Sequence, residues 1–95
     1  YAGSKSAIIG MALPMARDLG KFKIRVNVIA PGIIVTPMTE SILQTGPMKA
    51  IVAQTPLGTT GKPEHIAMTA EYMVKNDFLN GTCIRVDGGV RFPQF

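Results

Sequence analysis

Apolar residues fall into four stretches separated by turn formers, and their spacing changes from one stretch to the next. Residues 2–19 are rich in Ala, Ile, Leu and Met and close on Arg17, Asp18 and then Gly20. That pattern predicts a helix with a glycine stop. Pro14 lies inside it, so one backbone hydrogen bond is lost and the ring presses on the Gly10 carbonyl, which predicts a kink. Ala7, Gly10, Ala12 and Ala16 are small enough to let a second helix approach, within the domain or across a subunit interface. The next stretch, Ile24-Arg25-Val26-Asn27-Val28-Ile29-Ala30, is β-branched and runs straight into Pro31-Gly32, as a buried strand meeting a turn does. Residues 33–61 carry Pro37, Gly46, Pro47, Pro56, Gly58 and Gly61 and read as a long connection with a short helix around 48–54. Such connections are often binding loops or lids. After Lys62, Pro63-Glu64 opens a second helix, amphipathic through Ile66, Ala67, Ala70, Met73 and Val74 and ending near Lys75. Asn80-Gly81 makes a turn, Cys83-Ile84-Arg85-Val86 a second short strand, and Asp87-Gly88-Gly89 ends it. Helix, strand, helix, strand in this order favours an α/β fold, a parallel sheet covered by helices. The tail, with Phe92 and Phe95, has no strong local preference, and no repeat or low-complexity segment occurs.

Composition narrows the function. With 95 residues the chain holds one domain at most, and 46% hydrophobic against 17% charged residues is material for a buried core. The net charge of +4 comes from 10 Lys+Arg against 6 Asp+Glu, scattered without a basic run, which argues against direct nucleic-acid binding. Cys83 is the single cysteine and His65 the single histidine, so neither a disulfide framework nor a structural zinc set is available, and a reducing compartment suits the chain. No apolar run is long enough to span a membrane, and no metal is expected. The text begins at Tyr1 in what reads as the first turn of a helix, so a piece of a longer protein is expected.

Candidate chemistry starts at that end. Tyr1 and Lys5 are four apart, so a helix stacks them on one face with Cβ atoms about 5–6 Å apart. A free tyrosine titrates near pH ~10, and an adjacent ammonium favours the phenolate, moving the group toward useful acid–base chemistry. The same spacing also occurs on ordinary solvated faces. His65 reads as an exposed first-turn residue, Cys83 as a buried strand thiol, and Asp87 as a turn residue bonding local amides.

The run Tyr1-Ala2-Gly3-Ser4-Lys5, the helix after it, and Ile24 through Pro31-Gly32 resemble the short-chain dehydrogenase/reductase family. Thr36, Pro56-Leu57-Gly58, Gly61 through Ala67, and Gly81 through Val86-Asp87-Gly88-Gly89 follow the family's order, so the resemblance covers essentially all 95 residues. Within it, Leu13 through Leu19, Phe78-Leu79-Asn80-Gly81 and Ile84 through Arg91 look most like the type 2 3-hydroxyacyl-CoA dehydrogenase subfamily, mitochondrial enzymes that also act on 17β-hydroxysteroids. The resemblance implies the C-terminal portion of a doubly wound, Rossmann-like domain, with the dinucleotide-binding half, its glycine-rich loop and the catalytic serine and asparagine upstream of Tyr1. Tyr1 would exchange the proton at the substrate oxygen, and Lys5 would lower its pKa and hold the nicotinamide ribose. Pro31 and Gly32 would bring backbone against the nicotinamide, Ile34 would bind through its main chain, and the Thr36 hydroxyl would face the carboxamide. Met38, Ile42, Leu43 and Met48 would present apolar surface to substrate. One departure stands out: Thr59 occupies the place where the family usually has arginine after Pro56-Leu57-Gly58.

The resemblance implies an NAD(P)-dependent oxidoreductase, NAD the first choice with NADP open, interconverting a secondary alcohol and a ketone. The substrate would be a 3-hydroxyacyl-CoA or a hydroxysteroid, and the assembly a homotetramer without a membrane partner. A 3-oxoacyl-carrier-protein reductase, or a noncatalytic scaffold subunit, is the alternative. Location would be mitochondrial if the subfamily holds and cytoplasmic otherwise. As an isolated piece the chain is expected to be inactive and poorly folded, its two strands lacking sheet neighbours.

Overall fold

The computed structural model describes residues 2–90 of the chain. A long helix, α1 (Ala2–Gly20), leads into strand β1 (Val28–Pro31); two short helices, α2 (Glu40–Leu43) and α3 (Gly46–Ala53), occupy the connection; α4 (Pro63–Lys75) then leads to strand β2 (Cys83–Val86). The strands pair in parallel, Val28 beside Cys83 and Pro31 beside Val86. The connection α4 provides is therefore a crossover, as a parallel pair requires. The helix predicted over 2–19 forms and runs unbroken through Pro14. The helix expected around 48–54 forms two residues earlier, and α2 is an additional turn that the sequence did not signal.

Alternation along β2 places the helices. Ile84 and Val86 line a cavity with residues of α4, whereas Arg85 between them lines one with residues of α1. Successive strand side chains point to opposite faces, so α1 and α4 cover opposite faces of the sheet, the doubly wound arrangement. Ala12 and Ala16, one turn apart on α1, are buried and let that helix sit close. Gly81 lies under it with φ +73°, and a Cβ there would stand 3.0 Å from Leu13 Cδ1 and 3.2 Å from Ala16 Cβ. The turn before β2 thus needs glycine twice over, for its backbone angle and for space. Of the small residues on α1, Ala7 and Gly10 are exposed.

Strand β1 is shorter than the predicted 24–30, and the reason lies in two side chains. Arg25 turns its guanidinium onto the end of α4, where Nη1 donates to the carbonyls of Met73 (2.8 Å), Leu79 (3.0 Å) and Asn76 (3.1 Å) and Nη2 to that of Val74 (3.1 Å). The last carbonyls of a helix have no partner within it and carry its negative dipole end, so one cation answers both needs. Asn27 replaces ladder bonds with side-chain ones, donating to the Leu79 carbonyl (2.9 Å) and accepting the Thr82 N–H (3.1 Å). Asn80 returns the favour to the Val26 N–H at 3.0 Å. Residues 24–27 are thus an arm stitched to the C-terminus of α4. Replacing Arg25 with alanine is expected to cost about 2–3 kcal/mol, read as a lower midpoint in urea unfolding of the protein. A change within about 0.5 kcal/mol, as at an ordinary surface position, would contradict the capping role.

At its other end α4 is capped by its own third residue. The Lys62 N–H donates to His65 Nδ1 (2.8 Å) and the His65 N–H to the Lys62 carbonyl (2.9 Å), a reciprocal pair of capping-box form behind Pro63. His65 is exposed in the first turn, as the sequence suggested. The predicted apolar face of α4 is corrected in part: Ile66, Ala70 and Met73 turn inward, but Ala67 and Val74 are exposed. Cys83 is half-buried rather than buried.

Candidate functional site

In open parallel sheets ligands collect beyond the carboxyl ends of the strands, and here those ends are Pro31 and Val86. Pro31, Gly32, Ile34 and Thr36 all lie on the segment leaving β1 at that end. Gly32 extends the ladder by donating to the Val86 carbonyl (2.9 Å). A Cβ on it would stand 2.7 Å from both Cα and Cβ of Asp87. Glycine at 32 is therefore required by the neighbouring strand end. Gly32→Ala is expected to cost about 1–3 kcal/mol through forced separation of the two strand ends, seen as a lower melting temperature. An unchanged melting temperature would show that the strand ends part freely. Asp87 behaves as the turn residue expected, its Oδ1 accepting the Gly89 N–H at 3.0 Å. Gly89 has φ +94° and lies so close to Pro56 that a Cβ would be 2.9 Å from Pro56 Cγ, which brings the end of the connection against the end of β2.

Beyond Gly32 the chain is fixed by a second parallel bridge. Gly61 donates to the Ile33 carbonyl (2.8 Å), and its own carbonyl accepts the Val35 N–H (3.0 Å). The Ile34 N–H between them makes no hydrogen bond among the described residues, although Ile34 is half-buried. Two residues on, Thr36 and Thr39 lock to each other. Thr36 N–H donates to Thr39 Oγ1 (2.9 Å), Thr39 N–H donates to Thr36 Oγ1 (3.2 Å), the two oxygens are 3.1 Å apart, and the Thr39 hydroxyl donates to the Ile34 carbonyl (3.0 Å). The Thr36 carbonyl also accepts the Glu40 N–H (2.9 Å), so this turn starts α2. Sequence reasoning missed Thr39. Its signal was the Thr36-Pro37-Met38-Thr39 spacing, the three-residue interval over which side chains and backbone amides cap reciprocally.

The candidate apolar residues divide between surface and partial cover. Met38 is 85% exposed and Ile42 is exposed, whereas Leu43 and Met48 are half-buried. No residue of α2 or α3 is fully buried, so this connection lies at the surface of the described residues. Its far anchor is Thr55, 7% exposed, whose hydroxyl donates to the Val52 carbonyl (2.8 Å). Thr59, at the departure from the family pattern, is exposed, and among the described residues its hydroxyl meets only the adjacent Thr60 carbonyl (3.5 Å). A cavity of about 160 Å³ lies between α1 and the strand ends, lined by Ser6, Ile9, Pro31, Gly32, Arg85 and Asp87. A larger one of about 540 Å³ lies on the opposite face against α4, with Met68, Tyr72 and Ile84 among its walls. Tyr1 and the Lys5 side chain lie outside the described residues. Among the described residues no group of His, Cys, Asp and Glu is arranged to hold a metal ion, and no helix is long and apolar enough to cross a membrane.

A doubly wound parallel unit thus carries, just past its strand ends, a threonine latch and a main-chain N–H that makes no hydrogen bond among the described residues. The comparisons with known proteins identify the family. The family described as enoyl-(acyl carrier protein) reductase matches residues 1–91, and the chain belongs to the short-chain dehydrogenase/reductase family. It is 42% identical over 95 residues to 3-hydroxyacyl-CoA dehydrogenase type-2 of Rattus norvegicus, covering 96% of this chain and 35% of that one. It is 39% identical over 92 residues to a 3-oxoacyl-[acyl-carrier-protein] reductase of Thermotoga maritima, covering 95% and 37%. Among solved structures, 3-hydroxyacyl-CoA dehydrogenase type-2 from Mycobacterium avium superposes with a TM-score of 0.89 at 36% identity, over 100% of this chain and 37% of that one. A 4-hydroxyisoleucine dehydrogenase complexed with NADH superposes at 0.83 and 36% identity, over 92% and 37%. The chain thus spans about a third of the length of the relatives it matches.

Proposed function

We propose that these residues are the C-terminal part of an NAD(P)-dependent oxidoreductase that interconverts a secondary alcohol and a ketone, with a 3-hydroxyacyl thioester of coenzyme A as substrate. The observation that carries this reading is the pairing of the Ile34 N–H, free among the described residues, with the Thr36 hydroxyl on the segment leaving β1. A primary amide offers one acceptor oxygen and one donor nitrogen, and such a pair suits it. The nicotinamide carboxamide is a group of this kind, so Ile34 and Thr36 fit the cofactor, and relatives complexed with NADH or NADPH support it. Bound there, the cofactor supplies or accepts hydride.

Tyr1 holds the proton that moves to or from the substrate oxygen, and Lys5, four residues on in the sequence, keeps the phenol in a state able to exchange it. Gly32 keeps the segment tight against Asp87, so that Ile34 and Thr36 are delivered at a fixed height above the sheet. Met38, Ile42, Leu43 and Met48 give the connection an apolar, adaptable lining suited to an acyl chain. The glycine-rich loop and the remaining catalytic side chains come from upstream residues, which also complete the sheet. The assembly is a homotetramer, and the exposed Ile8, Met11, Leu13 and Met15 of α1 are where further packing is expected.

The full-length protein is expected to oxidise NADH with acetoacetyl-CoA and to release 3-hydroxybutyryl-CoA. The carrier-protein thioester distinguishes the second reading, which the Thermotoga relative favours: faster turnover of acetoacetyl carrier protein than of acetoacetyl-CoA would assign a reductase of that type. Turnover of neither, by a protein that binds NADH, would overturn the substrate class.

A further inference from the structure

We propose that Thr39 is a positioning residue that fixes the polarity of the Thr36 hydroxyl, so that Thr36 meets the cofactor carboxamide as a hydrogen-bond acceptor and not as a donor. This rests on the reading of Thr36 as a cofactor contact. A count of protons carries it. Each threonine hydroxyl has one proton and two lone pairs. The Thr39 hydroxyl has three acceptors in reach, the Ile34 carbonyl at 3.0 Å, Thr36 Oγ1 at 3.1 Å and the Thr36 carbonyl at 3.3 Å. With its proton on the Ile34 carbonyl, the shortest of the three, the proton between the two threonine oxygens is that of Thr36. Thr36 Oγ1 also accepts the Thr39 N–H at 3.2 Å. What remains on Thr36 is one lone pair and no proton.

That remainder is selective. Both threonines are half-buried, which limits the water available to reshuffle the network. The lone pair of Thr36 matches the carboxamide NH₂, and the Ile34 N–H matches its carbonyl. Thr39 also holds residue 34 from the other side through its carbonyl, so one side chain orients both halves of the amide clamp. A group that presents no N–H to Thr36 leaves the lone pair unanswered, and a site built to hydrogen-bond a substrate N–H discriminates against the analogue lacking it.

The probe is 3-acetylpyridine adenine dinucleotide, in which a methyl ketone replaces the amide, compared with NAD by calorimetric titration of the full-length protein. The unmodified protein is expected to prefer NAD by about tenfold, the worth of one hydrogen bond. In Thr39→Val the Thr36 proton has no partner and can turn outward. NAD binding should then weaken several-fold and the preference shrink to within about twofold. Thr39→Ser keeps the hydroxyl and should restore both, and Thr39→Ala serves if the valine does not fold. A merely structural role would weaken both dinucleotides alike and keep their ratio, which would overturn the proposal. Thr36→Val separates the two ideas. Weaker NAD binding there, with an unchanged ratio in Thr39→Val, removes the role of Thr39 alone, whereas unchanged NAD binding in Thr36→Val removes the cofactor contact and the proposal with it.

Discussion

Tyr1→Phe in the full-length protein lowers kcat for acetoacetyl-CoA reduction by about 10²–10⁴-fold, the range spanned by loss of a positioned general acid. The ring stays and the phenolic proton goes, so cofactor affinity is expected to stay within about twofold while the chemical step fails. Lys5→Met should depress kcat as well, and should also raise the KM for the cofactor, because the family resemblance gives Lys5 two tasks. Equal kcat for Tyr1→Phe and the unmodified protein would remove Tyr1 from the reaction. The helix that carries Lys5 is well anchored for this purpose. Ala12 and Ala16 bury one face of α1 against the sheet, and Gly81 is shaped to receive it. The first turn is thereby held at the same end of the fold as the strand ends, since Ser6 and Ile9 border the cavity that Pro31 and Gly32 close.

The second large effect concerns the chain by itself. Residues 1–95 in isolation are expected to show no cooperative thermal transition and to bind a hydrophobic dye strongly. Among the described residues the buried apolar set is only Ala12, Ala16, Met73 and Val90, and no side chain is fully enclosed. Phe78 is 95% exposed, and Phe22, Leu57 and Val74 are exposed with it. Two strands of four residues give too short a ladder to hold such a surface, and helices with apolar residues on several faces need more than one neighbour. The full-length protein, with the remaining strands in place, should melt in one transition. A single sharp transition for the isolated chain would mean that these helices and strands form a self-sufficient unit, contrary to the fold described above.

Much of this architecture is legible in the residues because its punctuation is strong. Strand β2 falls on 83–86 as read, since Asn80-Gly81 and Asp87-Gly88-Gly89 bracket it and the glycines adopt the positive φ that a side chain resists. Helix α4 falls on 63–75 because Pro63 starts it and its inward residues keep helical spacing. Strand β1 is the instructive difference. Ile24 through Asn27 carry every local sign of a strand, yet Arg25 and Asn27 are engaged 48 to 55 residues away, at the end of α4 and the turn after it. Periodicity reports which side chains are apolar, and it is silent on which helix end a guanidinium will reach. The same holds for Ala67 and Val74, which repeat at helical spacing but lie beside the stripe that meets the sheet.

The candidate site was legible by resemblance more than by pattern. A strand followed by Pro-Gly locates the loop, and the family places Ile34 and Thr36 on it, where the structure leaves one N–H free among the described residues and joins the Thr36 hydroxyl to that of Thr39. Thr39 was missed because a threonine in an irregular connection has no periodicity to betray it. Gly32 was read toward a ligand, and the structure adds a packing requirement of its own, since Asp87 fills the place of its Cβ.

The central claim is hydride transfer between the nicotinamide ring and the alcohol carbon in the protein to which these residues belong. The most direct test reduces acetoacetyl-CoA with NADH deuterated at C4 on either face and locates the label by mass spectrometry and proton NMR. Deuterium at C3 of the 3-hydroxybutyryl-CoA, delivered from one face of the ring only, is the predicted result. Unlabelled product with both deuterated cofactors, or cofactor binding without any product, would contradict it.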